Sequence, residues 1–269
     1  MPYKKEKISA LIITYNEIDN ISRCINGISF ADEIIVVDSF STDGTFEYLK
    51  NHSKVKVIQH PFENYTAQKS LTLKQANNDW VLFIDADEVV TTPLKEEIIT
   101  VVNSSPIHSA YWFRRTFMFK NRKVNFSGCQ TDKNYRLFRK SRVAFNTNKI
   151  VHETLNINGS SGILNHKLIH YSYKNYENFK NKILKYGRLK AVESINNQKS
   201  FSYILLFLKP IWKFFNNYIL RLGILDGKKG LILSYIHALG VKEHYKTLHY
   251  LELNAKNKPV ITETFLKSA

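Results

Sequence analysis

The sequence predicts an α/β protein: a mainly parallel central sheet flanked by helices, followed by a helical C-terminal extension. Two observations carry this reading. Over the first hundred residues, short apolar runs alternate with stretches of helical periodicity, which is the pattern of βαβ units. From about Tyr176 onward the pattern is helical throughout. The chain has 269 residues, 43% hydrophobic and 23% charged, which excludes wholesale disorder and low-complexity classes.

Each element has its own justification. Ile8-Ser9-Ala10-Leu11-Ile12-Ile13 is a continuous apolar run, as in a strand buried on both faces. Between Glu17 and Ile28, the residues Ile18, Ile21, Cys24, Ile25 and Ile28 form a helical stripe. Ile34–Val37 is a second buried strand, and Ser41-Thr42-Asp43-Gly44-Thr45 opens a helix running to about Asn51. Val55–Ile58 is a third strand, Ala67–Ala76 a helix and Trp80–Ile84 a fourth strand. Thr92-Pro93 places a cap and an early helical proline before Leu94–Val102. After about residue 105 the rhythm breaks into β-rich segments at Ala110–Phe119, Tyr135–Arg139 and Ile150–Leu155. Helices are then expected over Tyr176–Asn196, Tyr203–Leu222 and Leu231–Ala255. The expected organisation is a catalytic domain over 1–172, with a ligand half (1–105) and a second half (106–172), and a basic helical extension over 173–269.

Two cysteines, Cys24 and Cys129, exclude a disulfide scaffold or a four-cysteine zinc site. No signal peptide is read at the start, and no 18-residue apolar run suggests a transmembrane helix, so a cytoplasmic protein is expected. Charge is unevenly placed. Residues 1–100 hold 10 Lys/Arg and 15 Asp/Glu, a net of −5, while the remainder holds 29 and 8, a net of +21. Such asymmetry points to an anionic partner: nucleic acid, a membrane surface or a phosphorylated substrate.

In open α/β sheets, ligands bind beyond the carboxyl ends of the strands. Three strand ends carry polar tips here: Thr14-Tyr15-Asn16-Glu17, Asp38-Ser39-Phe40-Ser41 and Asp85-Ala86-Asp87-Glu88. On an extended segment Asp85 and Asp87 face the same side, and two carboxylates there suit Mg²⁺ or Mn²⁺ together with phosphate oxygens. Strand-end or helix-capping aspartates are the plainer reading of the same residues. Asp38 could accept hydrogen bonds from a base or ribose, or serve a turn. Arg136 could hold a phosphate or form a surface salt bridge.

Taken together, Leu11–Glu17, Ile34–Ser39 with Ser41–Thr45, Gln68-Lys69 and Trp80–Glu88 resemble the family-two glycosyltransferases of the Rossmann-like GT-A fold. The similar subgroup is the lipopolysaccharide-core β-1,4-glucosyltransferases. The resemblance continues through Tyr135–Lys140, Val151-His152-Glu153, His170-Tyr171-Ser172 and the segment from Lys209-Pro210 to Gly227. It implies an inverting hexosyl transfer from a UDP-sugar, commonly UDP-glucose, to a glycan or glycolipid acceptor. It places Thr14, Asn16 and Glu17, with neighbouring Tyr15, at the nucleotide. Asp38 and Ser39 go to the base or ribose, Gln68 and Lys69 near the diphosphate, and Asp85, Ala86 and Asp87 at the ribose and metal. His152 is a further candidate metal ligand. The base that deprotonates the acceptor is expected to be Glu153, with Asp132 as the second candidate. Departures from the relatives are Ser70 where many carry Asn, and Gly128-Cys129-Gln130-Thr131-Asp132 where they often carry Gly-Trp-Tyr-Pro-Asp.

Past Pro210, Ile211, Phe214, Phe215, Tyr218, Ile219 and Leu222 share one helical face, and Lys213, Asn216, Asn217 and Arg221 the other. Such a helix either packs on the protein or lies in an anionic membrane surface, which would make the protein peripheral on the inner face of the cytoplasmic membrane. The competing readings are a nucleic-acid-binding protein, for which no reader motif is present, and a sugar-phosphate nucleotidylyltransferase, for which no Gly-rich activation loop is present. No nucleic-acid partner is therefore expected.

Overall fold

A computed structural model describes residues 5–104, 106–119, 121–145, 155–173 and 175–255. The strands are β1 (Ile8–Thr14), β2 (Glu33–Asp38), β3 (Val55–Gln59), β4 (Trp80–Phe83), β5 (Glu88–Val89), β6 (Ala110–Phe119), β7 (Arg122–Val124), β8 (Lys133–Arg139), β9 (Val143–Phe145), β10 (Leu155–Ile157), β11 (Ser161–Ile163) and β12 (Leu168–Tyr173). The helices are α1 (Ile18–Gly27), α2 (Thr45–Lys50), α3 (Tyr65–Gln75), α4 (Thr92–Asn103), α5 (Tyr176–Asn196), α6 (Tyr203–Phe215) and α7 (Lys228–Ala255). The chain divides into two compact units, 1–117 with 131–172, and 118–130 with 173–269.

In the first unit the strand order is β3-β2-β1-β4-β8-β6-β12-β5. β3, β2, β1 and β4 run parallel, with Thr14 beside Asp38 at the carboxyl edge. The strand order reverses at β1, between β2 and β4, which is where such sheets open a crevice. β8 then pairs antiparallel with β4, and β6 antiparallel with β8. This is the expected mixed α/β architecture with a parallel Rossmann-like half.

The parallel strands are apolar on both faces because helices cover both. On one face Ile12, Val36, Leu82 and Ile84 pack with Ile21 and Ile25 of α1 and Leu94 and Ile98 of α4, all buried. On the other, Leu11, Ile35, Val81 and Phe83 pack beneath Leu73 of α3 and against Phe145 and Leu155. Cys24 belongs to the first of these cores, as its place on the apolar stripe implied. Two cap hydrogen bonds fix helix entry: Ala67 N to Asn64 Oδ1 at 2.8 Å for α3, and Leu94 N to Thr91 Oγ1 at 3.4 Å for α4. The cap of α4 is thus Thr91 rather than Thr92, and α3 starts two residues before the expected Ala67.

The second unit is built mainly from α5, α6 and α7. The expected helix over Tyr203–Leu222 ends sooner, because the chain passes at Asn216–Leu220 into a wider π-helical turn and Leu222 adopts a left-handed conformation (φ 55°). Asp226 accepts from the backbone N–H groups of Asn125 (3.1 Å) and Phe126 (2.8 Å), tying segment 118–130 to this unit. The expected strand at Ile150–Leu155 falls almost wholly outside the described residues, and β10 begins at Leu155.

Candidate functional site at the carboxyl edge of the sheet

The tips of β1 and β2 are laced together. Asn16 takes a left-handed conformation (φ 54°), its N–H donates to Ser41 Oγ (2.9 Å) and its Oδ1 accepts from Thr42 N (2.8 Å). Glu17 N donates to Thr45 Oγ1 at 2.9 Å, and Ser39 N to Thr14 O at 2.9 Å. Asp38 is fully buried; its carboxylate accepts from Ser41 N (3.0 Å), from the Ser41 hydroxyl and from Gln59 Nε2 (3.4 Å). Asp38 therefore shapes the loop that follows its own strand. Gln68 of α3 joins the same edge by donating to Ser39 Oγ (3.0 Å) and to His60 O (3.1 Å). Tyr15 and Phe40 stay exposed at these tips, at 59% and 51%.

The second cluster gathers around the end of β4. Asp85 continues the face of Val81 and Phe83. It is paired with the Arg136 guanidinium of β8 and lies 3.7 Å from Lys69 Nζ of α3. Burial alone would raise the Asp85 carboxyl, but Arg136, Lys69, Arg115 and His170 together outweigh it and hold it well below the usual carboxylate range. Glu88, with no exposure, accepts from Arg136 (2.6 Å), from Arg115 Nη1 (3.1 Å) and from Asp85 N (3.0 Å). Arg115 in turn pairs with Asp132. A chain of alternating charges thus runs Lys69, Asp85, Arg136, Glu88, Arg115, Asp132, all within the first unit.

The segment after β4 is not extended. Glu88 N donates to Asp85 O at 2.9 Å and closes a turn at Ala86-Asp87. Asp87 Oδ2 lies 3.1 Å from His170 Nε2 of β12. The expectation that Asp85 and Asp87 lie on an extended segment is corrected: the chain turns between them, and Glu88, just past the turn, is buried against two arginines. Among the described residues, no group of three or more His, Cys, Asp or Glu is placed to hold a metal ion. The buried His170 Nδ1 has no hydrogen-bond partner among the described residues. The hard oxygens of Asp87 remain suited to Mg²⁺ or Mn²⁺, which bind through one or two carboxylates when substrate phosphates supply the rest. His152 and Glu153 lie outside the described residues.

Beside Asp85 a cavity of about 240 Å³ is lined by Lys69, Asp85 and Arg136 at its charged end. Phe83, Trp112, Asn134, Tyr135, Phe138, Phe145 and Leu155 form the rest of its wall. The Trp112 and Tyr135 rings stack at 3.5 Å between centroids. Arg139, three residues beyond Arg136, points elsewhere, to Asp79 at 3.2 Å and over the Trp80 ring. His166 and His170 do not converge, since His166 faces Glu97 at 2.9 Å.

Residues 9–157 match the model of glycosyl transferase family 2. The chain belongs to that family. An uncharacterized glycosyltransferase of Rickettsia typhi is 33% identical over 263 residues, covering 94% of this chain and 90% of its own. The lipopolysaccharide core biosynthesis glycosyltransferase LpsC of Rhizobium meliloti is 25% identical over 253 residues, covering 90% and 94%. Among solved structures, S. aureus TarS 1-349 aligns over 92% of each chain at 18% identity with a TM-score of 0.44. The charged chain and the laced loops are thus features of a family 2 glycosyltransferase.

Glu88 and Tyr135 were legible in the sequence only as members of longer motifs, with no role for either, and Arg115 and Trp112 were missed. One signal was available for Arg115: it falls in phase with Tyr111 and Phe113, both buried, so an arginine was being placed on a core-facing strand position.

Proposed function

We propose that this glycosyltransferase moves a hexose, with inversion, from a UDP-sugar to a saccharide acceptor of lipopolysaccharide core or a related glycolipid. We place this reaction at the inner face of the cytoplasmic membrane. The observation that carries the reading is the convergence of Lys69, Asp85 and Arg136 at the mouth of an aromatic-walled cavity, on the edge where the sheet order reverses. The 25% identity with LpsC over most of both chains supports the acceptor class.

In this reading the nucleotide lies over the tips of β1 and β2, with Thr14, Tyr15, Asn16, Glu17 and Ser39 around it and Asp38 holding the loop in shape. Gln68 and Lys69 face the diphosphate. Lys69 and Arg136 are preorganised cations, positioned before substrate arrives, so they stabilise charge on the departing diphosphate without reorganising. Asp85 fixes both of them, and Ala86 gives the turn that offers Asp87. Asp87 would hold Mg²⁺ or Mn²⁺, which when bound would supply Lewis-acid neutralisation of the diphosphate. The Trp112–Tyr135 stack offers a flat apolar wall to the face of a sugar ring. A carboxylate takes the proton of the acceptor hydroxyl as it attacks the anomeric carbon. Glu153 is the proposed base, because Asp132 is already committed to Arg115.

The test is a product assay with UDP-hexoses and core-oligosaccharide acceptors. Acceptor-dependent release of UDP supports the reading; release of pyrophosphate, or binding of duplex nucleic acid without sugar-nucleotide binding, overturns it.

A further inference from the structure

We propose that residues 203–225 form a docking surface for the headgroup layer of an anionic lipid bilayer. This deepens the membrane location proposed above, and its evidence is independent of the transfer chemistry. α6 buries none of its residues. Tyr203, Ile204, Phe207, Leu208, Ile211 and Trp212 are each between 54% and 68% exposed. Ile204, Phe207 and Leu208, Ile211 and Phe215 recur at helical spacing, so they make one continuous face. Five more aliphatic side chains between Ile219 and Leu225 extend it, at 41% to 63% exposure.

The polarity of this segment is inverted. Asn217 is 1% exposed and neither of its amide side-chain atoms has a hydrogen-bond partner among the described residues. Lys213 is half-buried, while Ile211 and Trp212 beside it face out. A helix adapted to water on its outer side would be turned the other way. Contiguous exposed apolar surface of this kind marks an interaction site.

The surrounding charge selects the occupant. Between 197 and 230 there are six cations against one carboxylate, Asp226, and four of the cations, Lys199, Lys209, Arg221 and Lys228, are exposed. Asp226 is already engaged by two backbone N–H groups. A second copy of this chain would bring the same cations against these, with no carboxylates to meet them. Lipid phosphates complement them, and Tyr203 and Trp212 suit the boundary between headgroup and acyl chain. Among the described residues no helix is long and apolar enough to cross a membrane, so α6 lies in the plane of the surface.

The test uses the full chain with vesicles of phosphatidylcholine alone or mixed equally with phosphatidylglycerol, read by co-sedimentation. Light scattering gives the oligomeric state, and UDP affinity is measured in parallel. The expected result is pelleting with the anionic vesicles that weakens at high salt. Phe207→Glu with Ile211→Glu should lose roughly tenfold or more in vesicle affinity. Lys209→Gln with Lys228→Gln should lose about fivefold per charge removed. UDP affinity should be unchanged in both, which separates this surface from the transfer site. Should the Glu pair fail to fold, the Gln pair carries the test. Indifference to both vesicle types, pelleting unaffected by either pair, or a dimer abolished by Ile211→Glu in a protein that ignores vesicles would overturn the proposal.

Discussion

Replacing Glu88 by Gln removes one negative charge from the middle of the alternating chain at the sheet edge while keeping nearly the same shape. Glu88 has no exposure and accepts from two arginines, at 2.6 Å from Arg136 and 3.1 Å from Arg115. At an effective dielectric of 20, each such pair contributes about 4 kcal/mol of Coulomb attraction, offset by the desolvation of both partners. Removing one member of a buried pair typically costs about 3–5 kcal/mol, because its partner is left uncompensated. The Gln side chain still accepts one hydrogen bond, and Asp85 and Asp132 still neutralise the arginines in part, so about 2–3 kcal/mol is expected. The assay is urea unfolding followed by near-ultraviolet circular dichroism, with activity and far-ultraviolet signal recorded on the same samples. Glu88 belongs to the first unit, so where the chain unfolds in two steps only the step of that unit should move. A shift below about 0.5 kcal/mol, the range of an ordinary surface substitution, would refute the claim that Glu88 is the hub holding Arg136 and Arg115.

Further outcomes follow from the same geometry. Arg136 meets both Asp85 and Glu88 through Nη2. Arg136→Lys keeps the charge on a shorter side chain with a compact ammonium that falls short of that position, so kcat should fall at least about tenfold while the fold persists, as steady-state kinetics and thermal melting would show. Trp112→Ala removes half of the stacked wall of the cavity; KM for the saccharide acceptor should rise while UDP affinity stays constant. The Asp85 carboxyl lies below the usual range, so it stays ionised above pH 4, and an acidic limb in the pH–rate profile should survive Asp85→Asn in any residual activity. His237 is lowered to about 4 by burial and by Lys213 and Arg221. Because its folded pKa is depressed, the unfolded chain takes up the proton first. Stability is therefore full above about pH 6.5 and is lost as pH falls toward 4, by at most about 3 kcal/mol less screening by solvent. Denaturation midpoints of His237→Gln should depend less on pH than the parent over that window.

Much of the fold could be read from residue pattern because each central strand is buried on both faces and shows as an unbroken apolar run. Ile8–Ile13 and Trp80–Ile84 are of this kind. β5 and β11 could not be read in this way. They have only two and three residues, and they owe their state to neighbouring strands rather than to any period of their own. The site divides similarly. Polar tips on consecutive parallel strands announced Thr14, Asp38 and Asp85, since strand direction alone puts them on one edge. The turn between Asp85 and Asp87 was hidden, because it depends on Arg115 and Arg136 arriving from β6 and β8 to pull Glu88 inward. The apolar face expected past Pro210 keeps its helical period only to Phe215, because Tyr218, Ile219 and Leu222 lie in or beyond the wider turn that ends α6, and periodicity does not say which side meets water.

The most direct test of the central claim is calorimetric titration of UDP into the parent and Asp87→Asn, each with and without Mn²⁺. The parent is expected to bind UDP, Mn²⁺ to tighten the binding, and Asp87→Asn to abolish the Mn²⁺ effect while folding normally. Equal Mn²⁺ enhancement in the two proteins, or no UDP binding by the parent, would contradict it.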